Sequence, residues 1–345
     1  MAKQQTAEGS ISVIGAGSWG TTLANLLAEK GQPVTLWVFE EELFQTMAKR
    51  RENEVFLPGV RLADTIHLTP SLEEAFNGKP ILVCAVPSHA VREVFSKGRS
   101  YLQDQLLFVS ATKGIEDETH LKITQILKEI TPPNIRAETA SLSGPSFAKE
   151  VSRKFPTAVA VSSSNPESAR KAQALFSRPY FRVYTNPDLL GVELGGATKN
   201  VMAIAAGISD GLGFGHSSRA ALITRGLAEM TRLGVKMGAD GRTFSGLTGL
   251  GDLVLTCTGD LSRNRRVGLE LGGGKKLAVI LREMKMVAEG IRTAKALRAL
   301  AGKQKVEMPI TEKVYGILYE DQDPREAVNK LMSRDPRSEQ EGQRG

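Results

Sequence analysis

Short runs of aliphatic and β-branched residues recur through the first half of the chain, each followed by a stretch with helical spacing. Ile11–Ile14, Val34–Phe39, Thr65–Leu68, Ile81–Val86, Leu106–Ser110, Ala140–Leu142, Thr157–Val161 and Phe181–Tyr184 predict strands, and Thr21–Glu29, closed by Gly31, predicts a helix between the first two. The runs are apolar almost without alternation, which marks strands covered on both faces, as in a parallel sheet flanked by helices. Strand–helix–strand order predicts a doubly wound, mostly parallel α/β sheet. After about Thr185 strand-like runs largely stop, and helical periodicity takes over in Asp188–Ile208, Ser218–Met237, Val279–Ala301 and Thr311–Tyr319. Asn186-Pro187-Asp188 reads as a turn followed by a helix cap. The expected organisation is an α/β domain over residues 1–185 followed by an all-α domain over 186–345, with a polar tail from about Asp335 that frays.

Composition narrows this picture by exclusion. A length of 345 residues suits two domains. A hydrophobic share of 41% with 24% charged residues is that of a soluble globular chain and excludes a disordered chain, a collagen or a coiled coil. The longest apolar runs, such as Ile81–Val86 and Val201–Ile208, fall short of the roughly 18 residues of a membrane span, and residues 1–10 lack the apolar core of a secretory signal. A chain that does not span a membrane and works in the cytoplasm is expected. The net charge of +7 comes from cations interleaved with acids, which argues against nucleic acid and for a bias toward small anions such as phosphates. Cys84 and Cys257 read as buried thiols of a reducing compartment. His67, His89, His120 and His216 form no cluster at metal-ligand spacing, so no metal is expected.

Gly15-Ala16-Gly17-Ser18-Trp19-Gly20 has G-x-G-x-x-G spacing between a predicted strand and a predicted helix, the context that a Rossmann-like dinucleotide site requires. Gly15 allows the tight turn, Gly17 lets the backbone approach a pyrophosphate, and Gly20 lets helix and strand pack closely. The unpaired amides and positive dipole end of the helix favour the bound anion. At the end of the second strand, Glu40 could accept from the ribose hydroxyls and repel a 2′-phosphate, which favours NAD. Arg50 and Arg51 could instead fold back to accept that phosphate, or Glu40 could simply open an exposed helix with Glu41 and Glu42. NAD and NADP both remain open here.

Further motifs follow. Val86-Pro87-Ser88 and Ala111-Thr112-Lys113-Gly114 end two strands, where ligands bind in such sheets. They are followed by Ser143-Gly144-Pro145-Ser146-Phe147-Ala148, Glu193-Leu194-Gly195-Gly196-Ala197-Thr198-Lys199-Asn200, Gly249-Leu250-Gly251-Asp252-Leu253, Ser262-Arg263-Asn264-Arg265-Arg266 and Val287-Ala288-Glu289-Gly290. With these in order from about Ile11 to Tyr319, the chain resembles the bacterial-type NAD(P)-dependent glycerol-3-phosphate dehydrogenases. The resemblance implies reduction of dihydroxyacetone phosphate to glycerol 3-phosphate for phospholipid synthesis, at a site in the cleft between the two domains.

On a helix starting near Asp188, the face through Leu189, Val192, Gly196, Lys199, Ala203 and Ala206 is apolar or small except for the lysine. Such a lysine must snorkel, pair, or lose charge through desolvation, and the last lowers its pKa toward that of a proton donor for a forming alkoxide. The resemblance makes Lys199 that donor and places Lys113 beside both cofactor and substrate, although a surface lysine at a strand end would look the same. It assigns Asp252 to the substrate, where it could also orient Lys199, against the plainer reading of a helix cap for Leu253–Thr256. Ser262, Arg263 and Asn264 would hold the phosphate, with Arg263 also on the cofactor, whereas Arg265 and Arg266 could be no more than a solvated helix face. Gly144 and Ser146 would meet the substrate. Ala148, Ser18, Trp19, Val287 and Glu289 would join the three loop glycines on the cofactor; for Val287 and Glu289 ordinary helix packing and a surface acid are the alternative. Relatives usually carry a basic or histidine residue where this chain has Phe39, so the resemblance carries NADP preference only loosely. The helical domain could carry a homodimer interface.

Overall fold

One sheet of eight strands organises the first half of the molecule: β1 (Ile11–Ile14), β2 (Val34–Trp37), β3 (Ile66–Thr69), β4 (Ile81–Cys84), β5 (Leu106–Ser110), β6 (Ala137–Ser143), β7 (Thr157–Ser163) and β8 (Phe181–Asn186). Here the computed structural model describes residues 11–284, 286–336 and 338–339. Residues 1–10, whose sequence lacks a signal-like core, and the end of the polar tail lie outside the described residues. The strand order is β3-β2-β1-β4-β5-β6-β7-β8, and only β6 and β7 pair antiparallel. Side chains leave a strand alternately toward its two faces. On β5, Leu107 and Val109 therefore enter one apolar cluster, while Phe108 packs edge-on against Phe95 on the opposite side, itself edge-on to Phe76. With both faces covered, every position of β1, β2, β4 and β5 is buried, which explains their unbroken apolar runs. The order reverses between β1 and β4, so the crevice at the carboxyl end of β1 is the topological switch point where such sheets take ligands.

The described residues divide into two compact units, one of residues up to Lys113 with Ile123–Leu189, the other of Gly114–Lys122 with residues from Leu190 onward. Contacts thus break four residues after the expected boundary at Thr185, and the short segment 114–122 goes with the second unit. The helices of the first unit are α1 (Ser18–Ala28), α2 (Glu41–Arg50), α3 (Leu72–Phe76), α4 (Val91–Gly98), α5 (Ile123–Ile130), α6 (Ala148–Ser152) and α7 (Pro166–Phe176). The second contains α8 (Leu189–Gly211), α9 (His216–Lys236), α10 (Gly241–Phe244), α11 (Asp252–Thr258), α12 (Arg263–Gly272), α13 (Leu277–Glu283), α14 (Glu289–Gln304), α15 (Pro309–Tyr319) and α16 (Pro324–Met332). No helix among the described residues is long and apolar enough to cross a membrane.

Helix α8 is buried without interruption from Gly191 to Ser209, so it is the axis of the second unit and has no solvent face of its own. Gly207 and Gly211 on α8 meet Gly268 and Gly272 on α12. A Cβ on Gly207 would lie 2.0 Å from the Arg265 carbonyl oxygen, and one on Gly268 would lie 2.0 Å from that of Ile204. The two helices therefore touch backbone to backbone, closer than any side chain at these positions would permit. That approach brings the start of α12 against the middle of α8, where Lys199 sits. Arg265 reinforces it, its Nη2 lying 2.8 Å from the buried Asp210 carboxylate of α8.

The continuous helix expected over Val279–Ala301 is in fact two. α13 ends at Glu283 and α14 begins at Glu289, with Ala288 in extended conformation. Local periodicity missed the break because its cause is tertiary: the amide of Gly290, in the first turn of α14, donates to Asn264 Oδ1 of α12 at 2.9 Å.

Candidate active site

The glycine loop of the first unit has the shape of an anion cradle. Gly15 has φ +115°, and a Cβ there would strike the Ala85 carbonyl carbon at 2.9 Å. At Gly20 a Cβ would lie 1.9 Å from the Gly15 carbonyl oxygen, whereas at Gly17 it would meet nothing within 4 Å. Two glycines thus answer to protein contacts, and the third faces open space at the N-terminus of α1. The amides of that first helical turn have no intrahelical acceptor, and Trp19 Nε1 is buried without a protein partner. These features fit a dinucleotide pyrophosphate. Asn53, fully buried, holds the loop: its Nδ2 donates to Ala16 O at 2.7 Å and to Thr21 Oγ1 at 2.9 Å. Thr22 Oγ1 reaches the Ala148 carbonyl at 3.3 Å and so joins α1 to the start of α6.

At the end of β6, Gly144 has φ +140°, and a Cβ there would fall 2.9 Å from Val159 Cα. Only glycine suits that turn. Its carbonyl accepts from Lys113 Nζ and from Ser146 Oγ, each at 3.0 Å, so three expected substrate residues share one locus. Thr112 Oγ1 donates to Val86 O at 2.7 Å and clasps the ends of β4 and β5 beneath Lys113. Phe39 is 72% exposed beyond β2, and Glu40 after it is exposed.

In the second unit, Lys199 is 7% exposed and does not snorkel. Its Nζ lies 2.8 Å from Asp252 Oδ1 and 2.7 Å from Thr256 Oγ1. A π-helical turn, Leu247–Gly251, leads into α11. Gly251 is the cap, so Asp252 is the first helical residue, and the reading of Asp252 as a cap gives way to an ion pair. Thr256 lies one turn later on the same face and donates to the Asp252 main-chain carbonyl at 2.6 Å. With its proton placed there, the Thr256 oxygen accepts from the ammonium.

Around this pair, Asn264 Nδ2 donates to Asn200 Oδ1 at 2.9 Å while its Oδ1 receives the Gly290 amide. Asn264 thus ties α8, α12 and α14 together, and one amide hydrogen remains to offer. Ser262, nearly fully buried, caps α12 by accepting from Arg265 N. Arg263 is accessible to water, yet surrounding protein lowers its pKa while the charge of Glu289 opposes that shift. Val287 is partly exposed in the break before α14. Arg265 is committed to Asp210 and Asp260, and Arg266 to Glu270. Cys257 is buried, with its thiol pushed up to about 12, which leaves it inert at neutral pH.

Sequence reasoning did not single out Asn53, Asn200 or Thr256. Asn200 had a signal in standing beside Lys199, and Thr256 in lying four residues beyond Asp252. Asn53 had none.

Known proteins match along nearly the whole chain. A model of the NAD-dependent glycerol-3-phosphate dehydrogenase N-terminus matches residues 10–169, and one of the corresponding C-terminus matches residues 188–329. A protein of Geobacter metallireducens named glycerol-3-phosphate dehydrogenase (NAD(P)+) is 58% identical over 329 residues, covering 95% of this chain and 98% of the relative. Its namesake in Geobacter sulfurreducens is 57% identical with the same coverage. The crystal structure of a glycerol-3-phosphate dehydrogenase from Coxiella burnetii superposes with a TM-score of 0.91 at 40% identity, covering 95% of this chain and all of that one.

Proposed function

The chain belongs to the NAD-dependent glycerol-3-phosphate dehydrogenase family, and from that premise we propose that it reduces dihydroxyacetone phosphate to glycerol 3-phosphate with Lys199 as the proton donor. The reaction adds one hydride to the ketone carbon and one proton to its oxygen. The reduced nicotinamide of NADH or NADPH supplies the hydride when bound. This chain's residues must place the substrate, stabilise the oxygen as it becomes negative, and deliver the proton.

The observation that carries the reading is the buried Lys199 ammonium held by Asp252 and Thr256. Two fixed acceptors aim the Nζ group, and the Asp252 carboxylate offsets the cost of keeping a charge away from water. As the alkoxide forms, Lys199 gives it a proton and becomes a neutral amine, then regains a proton from water. In the reverse direction the amine is the base. Arg263 and the remaining amide hydrogen of Asn264 serve the phosphate, and the Lys113–Gly144–Ser146 locus serves the polar end of the triose. The Gly15–Gly20 loop with Ser18, Trp19 and Ala148 serves the cofactor, as do Phe39, Val287 and Glu289. The two buried thiols, Cys84 and Cys257, which form no disulfide, support a reducing, cytoplasmic setting. Exposed Leu261 and Leu269, at and before α12, would suit a homodimer contact.

Initial rates with dihydroxyacetone phosphate and each reduced cofactor test the reaction. Lys199→Ala is expected to lower kcat by about 10²–10⁴-fold, the usual weight of a positioned acid. Because the residue belongs to the proton donor and not to the glycine cradle, NADH affinity should stay within a few-fold. Near-normal turnover in that variant would remove Lys199 from the chemistry.

A further inference from the structure

The carboxyl end of β2 and the turns beside it carry acids and an exposed aromatic ring. A dinucleotide with its pyrophosphate on α1 extends its adenosine half over the carboxyl end of β2 and its neighbours. Three turns border that region, at residues 15–20, 38–42 and 70–74. They contain no lysine or arginine, and they carry Glu40, Glu41, Glu42, Glu73 and Glu74. Glu40 caps α2 with extended backbone and makes no side-chain hydrogen bond to the helix, so its carboxylate is not spent on capping.

The two arginines that follow in sequence are held by other partners. Lys49, Arg50 and Arg51 stand at the far end of α2, whose ten residues span about 15 Å at 1.5 Å each. Arg50 Nη1 is 2.5 Å from Glu54, and Arg51 Nη2 is bound to the carbonyls of Ala63 at 2.5 Å and Ile66 at 3.0 Å. Arg51, in left-handed conformation at the end of α2, serves the loop into β3. The folding-back that could have supplied a phosphate partner is therefore not available to it.

Phe39 completes the case. Its ring, 72% exposed, is braced against Trp37 at 5.8 Å between centroids, and Trp37 is anchored through Nε1 to Pro70 O at 3.0 Å. A fixed, exposed aromatic face at this point suits a purine ring. We propose that this enzyme selects NADH over NADPH, with Phe39 stacking on the adenine and Glu40 accepting from the ribose hydroxyls while repelling a 2′-phosphate. This rests on the dehydrogenase reading above.

The test is direct binding of NADH and of NADPH to the whole enzyme without substrate, by calorimetry or quenching of tryptophan fluorescence. NADH should bind at least about ten-fold more tightly, a difference of about 1.4 kcal/mol. Glu40→Gln should narrow that ratio by weakening NADH and strengthening NADPH. Phe39→Ala should weaken both several-fold without changing the ratio. Both positions are exposed, so neither variant threatens folding. Equal or tighter binding of NADPH by the parent enzyme would overturn the proposal and leave the dehydrogenase reading intact. Failure to bind either cofactor would overturn that reading itself. An unchanged ratio in Glu40→Gln would remove Glu40 as the discriminator.

Discussion

Thr256 shows how much of the geometry of Lys199, the proposed proton donor, depends on a neutral side chain. A threonine in a helix ordinarily returns its hydroxyl proton to the carbonyl four residues back, and Thr256 does so at Asp252. That default bond turns the oxygen lone pairs toward Lys199 Nζ, 2.7 Å away. Thr256→Val keeps the shape and removes the acceptor. A hydrogen bond to a charged group contributes about 1.5–3 kcal/mol, so kcat should fall by roughly 10–100-fold while KM for dihydroxyacetone phosphate changes little. Stopped-flow turnover measures this directly, and unchanged kcat would reduce Thr256 to packing. Lys199 and Asp252 were legible in the sequence because charges in apolar stretches demand an explanation. Thr256 was not, because a helical threonine has a local use that accounts for it. For Arg265 the sequence left the matter open: within an arginine-rich run it can pass for a solvated face, and only the fold reveals Asp210 opposite it.

The starts of α14 and α15 in the second unit receive side chains from other helices, and one of these carries a pH signature. Glu229 of α9 is 2% exposed and accepts from the amides of Ile310 and Thr311 and from Thr311 Oγ1, and so caps α15 from outside. Burial raises its pKa to about 7 against the pull of those hydrogen bonds. A carboxyl group raised in the folded state binds its proton more tightly than in the unfolded chain, so stability is greatest below the ordinary glutamate value. It is then lost as pH climbs from about 4.5 to about 7, by an amount on the order of 3 kcal/mol. Urea midpoints at pH 5 and pH 8 should show this decline in the parent and a flatter profile in Glu229→Gln; equal slopes would locate the titration elsewhere. The strands were readable from their unbroken apolar runs, with ends shifted by a residue or three. The break between α13 and α14 and the glycine contact of α8 with α12 were not, since both depend on partners remote in sequence.

For the whole molecule, net charge was legible from the first count, but its deployment was not. Many basic side chains are spoken for locally: Arg136 by Asp104, Arg219 by Asp210, Arg298 by Glu312 and Glu320. What remains is a diffuse field from a net +7 and an isoelectric point near 9.3. Such a field raises the local concentration of a phosphate ester and is screened over about 10 Å at 0.1 M salt. KM for dihydroxyacetone phosphate should therefore rise several-fold between 0.02 and 0.3 M NaCl, on the order of one Debye-length contraction from about 20 to 6 Å, with kcat little altered. Uncharged dihydroxyacetone separates steering from any general salt effect on the protein, because it offers the same carbonyl without the anion. Its kinetic constants should stay flat across the same series. A parallel rise for both substrates would mean that salt acts on the enzyme and that the excess positive charge contributes nothing to capture.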